Sequence, residues 1–352
     1  MVDFKYMSQA LYRRYRPDSF ADVRGQDHIT KVLSGGVQDG HVAHAYLFSG
    51  RRGIGKTSVA RILAKELDTT DRDIYEIDAA SHRGIDDIRE LKEAVGSLPY
   101  ESEYKVYIID EVHMLTTPAF NALLKTLEEP PEFVIFILAT TEPDKLPETI
   151  ISRCEVHEFQ QPSTKVLASV AQDTAAAEKY TIDDSAATTI AQAADGSFRD
   201  CLGLLEKCMR AAEEKNISGE LAAEITGIPA NSLIEEIVFS GIVLNNSNIA
   251  LTALQKAVDK NIDPARLFGR VVQTVRQVLL LRFAPDLEKG IKDSVGNQLL
   301  SKIKEEADAG AGSKINAKTL HTLLSHHNKL SVETLGYLPL ELAIISLMSR
   351  EE

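Results

Sequence analysis

Tryptophan is absent from this 352-residue chain, aromatic residues make up only 6%, and cysteine occurs three times. Three thiols, Cys154, Cys201 and Cys208, cannot build the framework of a disulfide-stapled secreted domain, so a reducing cytoplasm is the expected setting. No run of about 18 apolar residues occurs, which argues against a membrane-spanning helix. Residues 1–10 carry Asp3 and Lys5 and no apolar centre, so they do not read as a secretion signal. Basic residues are also short: 39 Lys/Arg stand against 52 Asp/Glu, a net charge of −13. That balance excludes a protein coated in positive field for nucleic acid. The distribution qualifies it, because residues 1–60 hold nine Lys/Arg and five Asp/Glu, net +4, leaving −17 for the remainder. Global charge therefore neither requires nor excludes DNA.

What is present is 44% apolar and 26% charged residues over a length that calls for two or three domains. Residues 1–162 alternate short β-rich runs with helical patterns, which predicts an α/β domain with a parallel sheet. The strands are expected at 45–48, 74–77, 106–109 and 133–138, the last two nearly all apolar, as strands covered on both faces should be. Gln161-Pro162-Ser163 marks a boundary, after which 163–226 is Ala-rich and helical, broken at Asp195-Gly196-Ser197. Thr226-Gly227-Ile228-Pro229 separates a third, all-helical segment, 227–352, with breaks near 261–264 and 309–312.

The strongest motif is Gly50-Arg51-Arg52-Gly53-Ile54-Gly55-Lys56-Thr57, a complete phosphate-binding loop between a predicted strand and an amphipathic stretch opening at Ser58. Its glycines let successive backbone N–H groups point inward at phosphate oxygens. Lys56 reaches the β- and γ-phosphates, Thr57 suits a Mg²⁺ ligand, and the helix start offers its positive dipole end. Val106-Tyr107-Ile108-Ile109-Asp110-Glu111 is a buried-strand pattern ending in two carboxylates, so Asp110 is expected at the Mg²⁺ shell and Glu111 as general base toward the attacking water. His113 completes Asp-Glu-x-His and is read as a packing or hydrogen-bonding residue. At the end of the next strand a hydroxyl is expected to meet the water or the γ-phosphate, Thr141 first and Thr140 in reserve. Arg153, in Ser152-Arg153-Cys154, suits an arginine finger for a neighbouring subunit, the alternative being a surface pair with Glu155 or Glu158. Arg199 suits a γ-phosphate contact, the alternative being a bond to Asp195 or Asp200.

Together with Tyr12-Arg13-Arg14-Tyr15-Arg16-Pro17, Gly25-Gln26 and Phe120-Asn121-Ala122-Leu123-Leu124-Lys125-Thr126-Leu127-Glu128-Glu129-Pro130-Pro131, these motifs resemble the gamma/tau subunits of bacterial DNA polymerase III clamp loaders, within the AAA+ ATPases. The resemblance covers essentially the whole chain. It implies an α/β AAA+ domain, a small helical lid and an all-α collar that holds a ring together. It implies ATP and Mg²⁺ as ligands, residues 50–58 around the phosphates, and Tyr12, Arg16, Pro17 and Val23 closing over adenine. Thr141 resembles the first sensor, Arg199 the second, and Arg153 the finger acting in trans. Copies of the chain, delta- and delta-prime-like subunits, a sliding clamp and primer–template DNA are the implied partners, with no membrane.

Two departures stand out. Family members commonly carry a four-cysteine zinc module before the second strand, whereas here only residues 68–73 fill that position, without cysteine, so no structural zinc is expected. The chain also stops near the collar, without the long tail by which the tau form contacts polymerase and helicase, so gamma-like behaviour alone is expected. A non-hydrolysing ring scaffold is opposed by the intact Lys56, Asp110 and Glu111. A branch-migration helicase is opposed by Ser152-Arg153-Cys154 and the helical C-terminal segment. No carboxylate set for polymerisation appears beyond the ATPase pair. Arg83 and Arg89 either face a DNA phosphate backbone or, for Arg89, pair with Asp86 or Glu93 on a solvated helix face.

Overall fold

The computed structural model describes residues 9–82, 84–260, 262–295, 297–327 and 336–348. The chain forms two compact units, Met1–Pro162 with Gly196–Asp200, and Ser163–Asp195 with Cys201–Glu352.

The first unit holds α1 (Leu11–Arg14), α2 (Asp27–Gln38), β1 (Ala45–Ser49), α3 (Lys56–Glu66), β2 (Ile74–Asp78), α4 (Ile85–Val95), β3 (Lys105–Asp110), α5 (Thr117–Glu128), β4 (Val134–Thr140), α6 (Glu148–Ile151) and β5 (Glu155–Glu158). The five strands make one parallel sheet in the order β2-β3-β4-β1-β5. Strand alternation explains its two cores. Tyr46, Phe48, Val106, Ile108, Ile135 and Ile137 face a cluster with Val59, Ile62 and Leu63 of α3. Ala45, Leu47, Tyr107, Ile109, Phe136 and Leu138 face the other, with Ile88 and Leu91 of α4 and Leu123 and Leu127 of α5. The parallel arrangement with helices on both faces is the expected fold class. The strand β5 was not expected: Glu155-Val156-His157-Glu158 is largely polar, because as an edge strand it pairs with β1 on one side only.

At the entry to β2 a buried charge cluster anchors the chain. The Asp73 carboxylate is fully buried and accepts backbone N–H groups of Tyr100 (2.5 Å), Glu101 (2.9 Å) and Ser102 (2.9 Å). Lys105, 3% exposed, donates to Ala94 O at 2.8 Å and Ser97 Oγ at 2.9 Å. Burial alone would raise the Asp73 pKa, but these donors outweigh it and hold the group below its ordinary value. Asp73→Ala strands three amides and is expected to cost about 3 kcal/mol of stability in urea unfolding. Because the folded-state carboxyl titrates below the unfolded one, its contribution is complete above the ordinary carboxylate range and fades as pH falls toward the folded value. The variant should therefore lose that part of the acid dependence.

The second unit holds α7 (Thr164–Ala177), β6 (Thr181–Ile182), α8 (Asp184–Ala193), α9 (Phe198–Ala211, past its first turn), β7 (Asn216–Ile217) and α10 (Gly219–Thr226). It continues with α11 (Asn231–Glu235), a π-helical stretch Glu236–Val243, α12 (Ser247–Asp259), α13 (Pro264–Phe283), α14 (Glu288–Val295), α15 (Asn297–Asp308), α16 (Ala317–His327) and α17 (Leu338–Met348). Side-chain caps start several of these helices: Ser163 Oγ accepts from Val166 N, Ser218 Oγ from Leu221 N, and Asp263 Oδ1 from Arg266 N, ahead of Pro264. The two-residue ladder of β6 and β7 is too short to register in a strand pattern. From α11 onward one apolar core runs through Ile237, Leu254, Phe268, Val275 and Ile344. Cys201 and Cys208 are both buried on α9, and burial pushes the Cys208 thiol up to about 11.

Candidate functional site

Strand register decides what gathers at the carboxyl edge of the sheet. Ser49 at the end of β1 lies beside Thr140 at the end of β4, and Gly50 N donates to Thr140 O at 3.1 Å. Residues 50–55 then curl before α3. Gly53 and Gly55 sit at φ +76° and +107°, a region that L side chains rarely adopt, and a Cβ on Gly53 would collide with Ser197 Oγ. Phe198 N donates to Gly53 O at 2.9 Å, so residues 196–200 grip this loop. Ile54 is buried in the core with Val23, Arg51 donates to Gln161 Oε1 at 3.0 Å, Arg52 is exposed, and Ser58 is half-buried on the first turn of α3.

Lys56 is 5% exposed, and its ammonium donates to Gly50 O at 2.6 Å and Arg51 O at 2.9 Å. Burial lowers its pKa and Arg199 adds to the effect, while Glu111 and Asp110 oppose it. Asp110 keeps the parity of Val106 and Ile108, so it points to the α3 face, and Thr57 Oγ1 donates to Asp110 Oδ2 at 2.8 Å. A hydroxyl and a carboxylate oxygen side by side, below backbone N–H groups that open a helix, fit the hard oxygen chemistry of a nucleotide-bound Mg²⁺. Among the described residues no group of three or more His, Cys, Asp and Glu could hold a metal ion.

Glu111 has φ +48° and ψ 43°, a left-handed conformation rare for a non-glycine residue. This turn swings its carboxylate across to β4, where Thr141 Oγ1 donates to Glu111 Oε2 at 2.9 Å. Thr140 takes a different partner, His113 Nδ1, at 2.9 Å. Tyr12 and Arg199 are brought together: the Arg199 guanidinium lies 5.8 Å from the centre of the Tyr12 ring. Arg16 is half-buried, and burial, with Arg61, Arg199 and Arg13 adding to it, lowers its pKa against the pull of Glu76. Pro17 is half-buried beside it in sequence.

Arg153 is not part of this gathering. It precedes β5, whose Glu155 pairs with Tyr46 and Glu158 with Ser49, so it lies at the amino-terminal ends of these strands, the opposite edge of the sheet from its own loop. Its guanidinium donates to Glu128 Oε1 at 2.6 Å and Thr149 O at 2.7 Å, rather than to Glu155 or Glu158. Glu128 stands 25 residues away, a pairing with no local sequence signal. Ser197, Gln161, Glu142 and Glu128 are the polar neighbours of the site residues that sequence reasoning missed. Arg83 lies outside the described residues, as does the side chain of Arg89.

Comparison with known proteins matches the phosphate-loop unit and the segment after it to two families. Residues 25–80 and 68–163 match the family described as DNA polymerase III, delta subunit, and residues 167–212 the DNA polymerase III clamp loader subunit, ATPase lid domain. Over 350 residues the chain is 39% identical to DNA polymerase III subunit tau of Bacillus subtilis, covering 91% of this chain and 59% of that protein. It is 35% identical to subunit gamma/tau of Mycobacterium bovis, over 90% of this chain and 61% of that one. The chain belongs to the gamma/tau family of DNA polymerase III subunits. It spans about three fifths of the length of these two relatives. Solved structures of Thermotoga maritima RuvB share the fold. One, a single-residue variant, superposes with a TM-score of 0.53 at 22% identity, over 70% of this chain and 88% of that one. Another, described as a Holliday junction branch migration motor, gives 0.52 at 24%, over 64% and 79%. At that identity they establish the AAA+ architecture and nothing of RuvB's own task. As gamma/tau family chains share an AAA+ ATPase fold, nucleotide and Mg²⁺ use is general to it. Among the described residues no helix is long and apolar enough to cross a membrane.

Proposed function

We propose that this chain is an ATP-hydrolysing motor subunit of a replicative clamp loader, one that couples nucleotide binding and hydrolysis to opening a sliding clamp and leaving it on primed DNA. The observation that carries the reading is the meeting of Lys56, Thr57, Asp110, Glu111 and Thr141 at one sheet edge, from three stretches far apart in sequence. Residues 50–58 bind the phosphates, and Tyr12, Arg16, Pro17 and Val23 close over the base. Thr57 and Asp110 would hold a Mg²⁺, which would supply neutralising charge to the phosphates. Glu111 takes a proton from the attacking water as that oxygen bonds to the γ-phosphorus, whose bond to the bridging oxygen breaks to give ADP and inorganic phosphate. Thr141 orients Glu111 or the water as first sensor, and Arg199 reports the γ-phosphate as second.

Arg153 acts in trans, on the nucleotide of an adjacent subunit, which its position at the far edge of its own sheet favours. The ring then comprises copies of this chain with delta- and delta-prime-like subunits, in the cytoplasm. The segments 1–162, 163–226 and 227–352 work as motor, lid and collar. The test is ATP hydrolysis by the full chain alone, then with partner subunits, clamp and primed DNA, where stimulation by the complete set is expected. Unchanged hydrolysis in all combinations would contradict the loader reading. Arg153→Ala should leave nucleotide affinity intact and lower hydrolysis by the assembled ring about 10³-fold. An equal loss in the isolated chain would overturn the trans role.

A further inference from the structure

His113 is the polar member of Asp110-Glu111-Val112-His113 that hydrolysis as proposed does not use, yet polar groups surround it. The side chain is 6% exposed and lies between two carboxylates, with Nδ1 3.6 Å from Glu111 Oε2 and Nε2 3.3 Å from Glu142 Oε1. Nδ1 is also 2.9 Å from Thr140 Oγ1, and that same oxygen accepts the Glu142 N–H at 3.0 Å. A carboxylate only accepts, so an imidazole proton on Nε2 suits Glu142 Oε1 at 3.3 Å, and in that tautomer Nδ1 accepts from the Thr140 hydroxyl. The circuit then runs from Glu142 N–H to Thr140 Oγ and from Thr140 O–H to Nδ1, with Nε2 facing the Glu142 carboxylate at 3.3 Å. Lys145 Nζ holds the other oxygen of that carboxylate at 2.8 Å and keeps its pKa below the ordinary range.

This circuit bears on Glu111 in two ways. It ties the turn after β3 to the turn after β4, the two pieces whose separation sets the Thr141–Glu111 contact at 2.9 Å. It also places the imidazole 3.6 Å from Glu111 Oε2, the oxygen that accepts from Thr141, so both neighbours bound the position of that carboxylate. A residue in a left-handed conformation needs surroundings that over-determine it, and these do so.

We propose that His113 is a positioning residue for Glu111, and that Glu142 acts on Glu111 through the imidazole. The inference rests on Glu111 being the general base. Misplacing a reacting group by about 1 Å can cost about 10²-fold. His113→Ala in the full chain is therefore expected to lower kcat about 10–100-fold with the nucleotide dissociation constant within about twofold of the original. His113→Gln, which can accept from Thr140 and donate to Glu142, is expected to recover most of the rate. Glu142→Ala should slow hydrolysis less, and should add nothing in the His113→Ala background, since both remove one circuit. If His113→Ala does not fold, His113→Asn replaces it: too short to reach both partners, it should be slow where His113→Gln is fast.

Wild-type kcat in His113→Ala, a kcat loss matched by lost affinity, or a glutamine no better than alanine or asparagine would each overturn the proposal. Glu111→Gln run alongside separates the two levels. If that variant hydrolyses normally, the general-base reading fails. If it is inactive while His113→Ala is normal, only the positioning role fails.

Discussion

Replacing Glu111 by glutamine is expected to lower ATP turnover about 10²–10⁴-fold, the range a general base contributes. Glutamine keeps the shape of the side chain and its oxygen can still accept the Thr141 hydroxyl, which now meets Glu111 Oε2 at 2.9 Å. What it loses is the capacity to take a proton. Nucleotide and Mg²⁺ should therefore bind as before, because Thr57 and Asp110 stand on the α3 side, with their own contact at 2.8 Å. Calorimetric binding beside single-turnover hydrolysis separates the two quantities. A variant that hydrolyses within about tenfold of the original would remove Glu111 from the base role.

Lys56→Ala should act at the earlier step. A hydrogen bond to a charged group contributes about 1.5–3 kcal/mol, so losing the ammonium alone predicts a weakening of nucleotide affinity of about 10–150-fold. The structure adds a second loss. The same ammonium donates to the carbonyl oxygens of Gly50 and Arg51, at 2.6 and 2.9 Å, and ties the start of the loop to the helix that ends it. Without it, the loop N–H groups that should face phosphate are less ordered, so the measured loss should reach the upper end of that range. Affinity unaltered in Lys56→Ala would contradict the assignment of residues 50–58 to phosphate. Burial lowers the Lys56 pKa, so binding should weaken as pH rises sooner than an exposed lysine would allow.

The two variants touch different kinds of legibility. Lys56 was readable because a phosphate loop is a local object: its glycines, its lysine and the helix it opens lie within eight residues. The apolar runs of β3 and β4 were readable for the same reason, since a strand covered on both faces must be apolar at nearly every position. β5 was not, because only His157 of its four residues is buried and the run carries no apolar strand pattern. Which threonine serves which partner was also out of reach. Thr140 and Thr141 are identical in type and adjacent, and only the parity of β4 sends the first toward His113 and the second toward Glu111.

The same limit explains Arg153. Two acidic residues within five positions made a local pair plausible, yet the guanidinium reaches Glu128 at the far end of α5. Partner choice by a long side chain is settled by which elements fold against it, and helix returns bring distant residues closer than sequence neighbours. His113 shows the converse. Its motif was visible, but its purpose depends on two turns meeting at one sheet edge.

The sequence by itself determined the phosphate-loop motif, the carboxylate pair after a buried apolar strand and the parallel α/β class. Each depends on residue type and spacing over a dozen positions or fewer, the range over which backbone preference and hydrophobic periodicity act. Only the tertiary structure decided the Thr57–Asp110 bond, the left-handed turn at Glu111, the circuit through His113, and the grip of residues 196–200 on Gly53. Polar contacts of that kind are short-ranged and directional, so they exist only once strand register and helix packing have brought their two halves within about 3 Å.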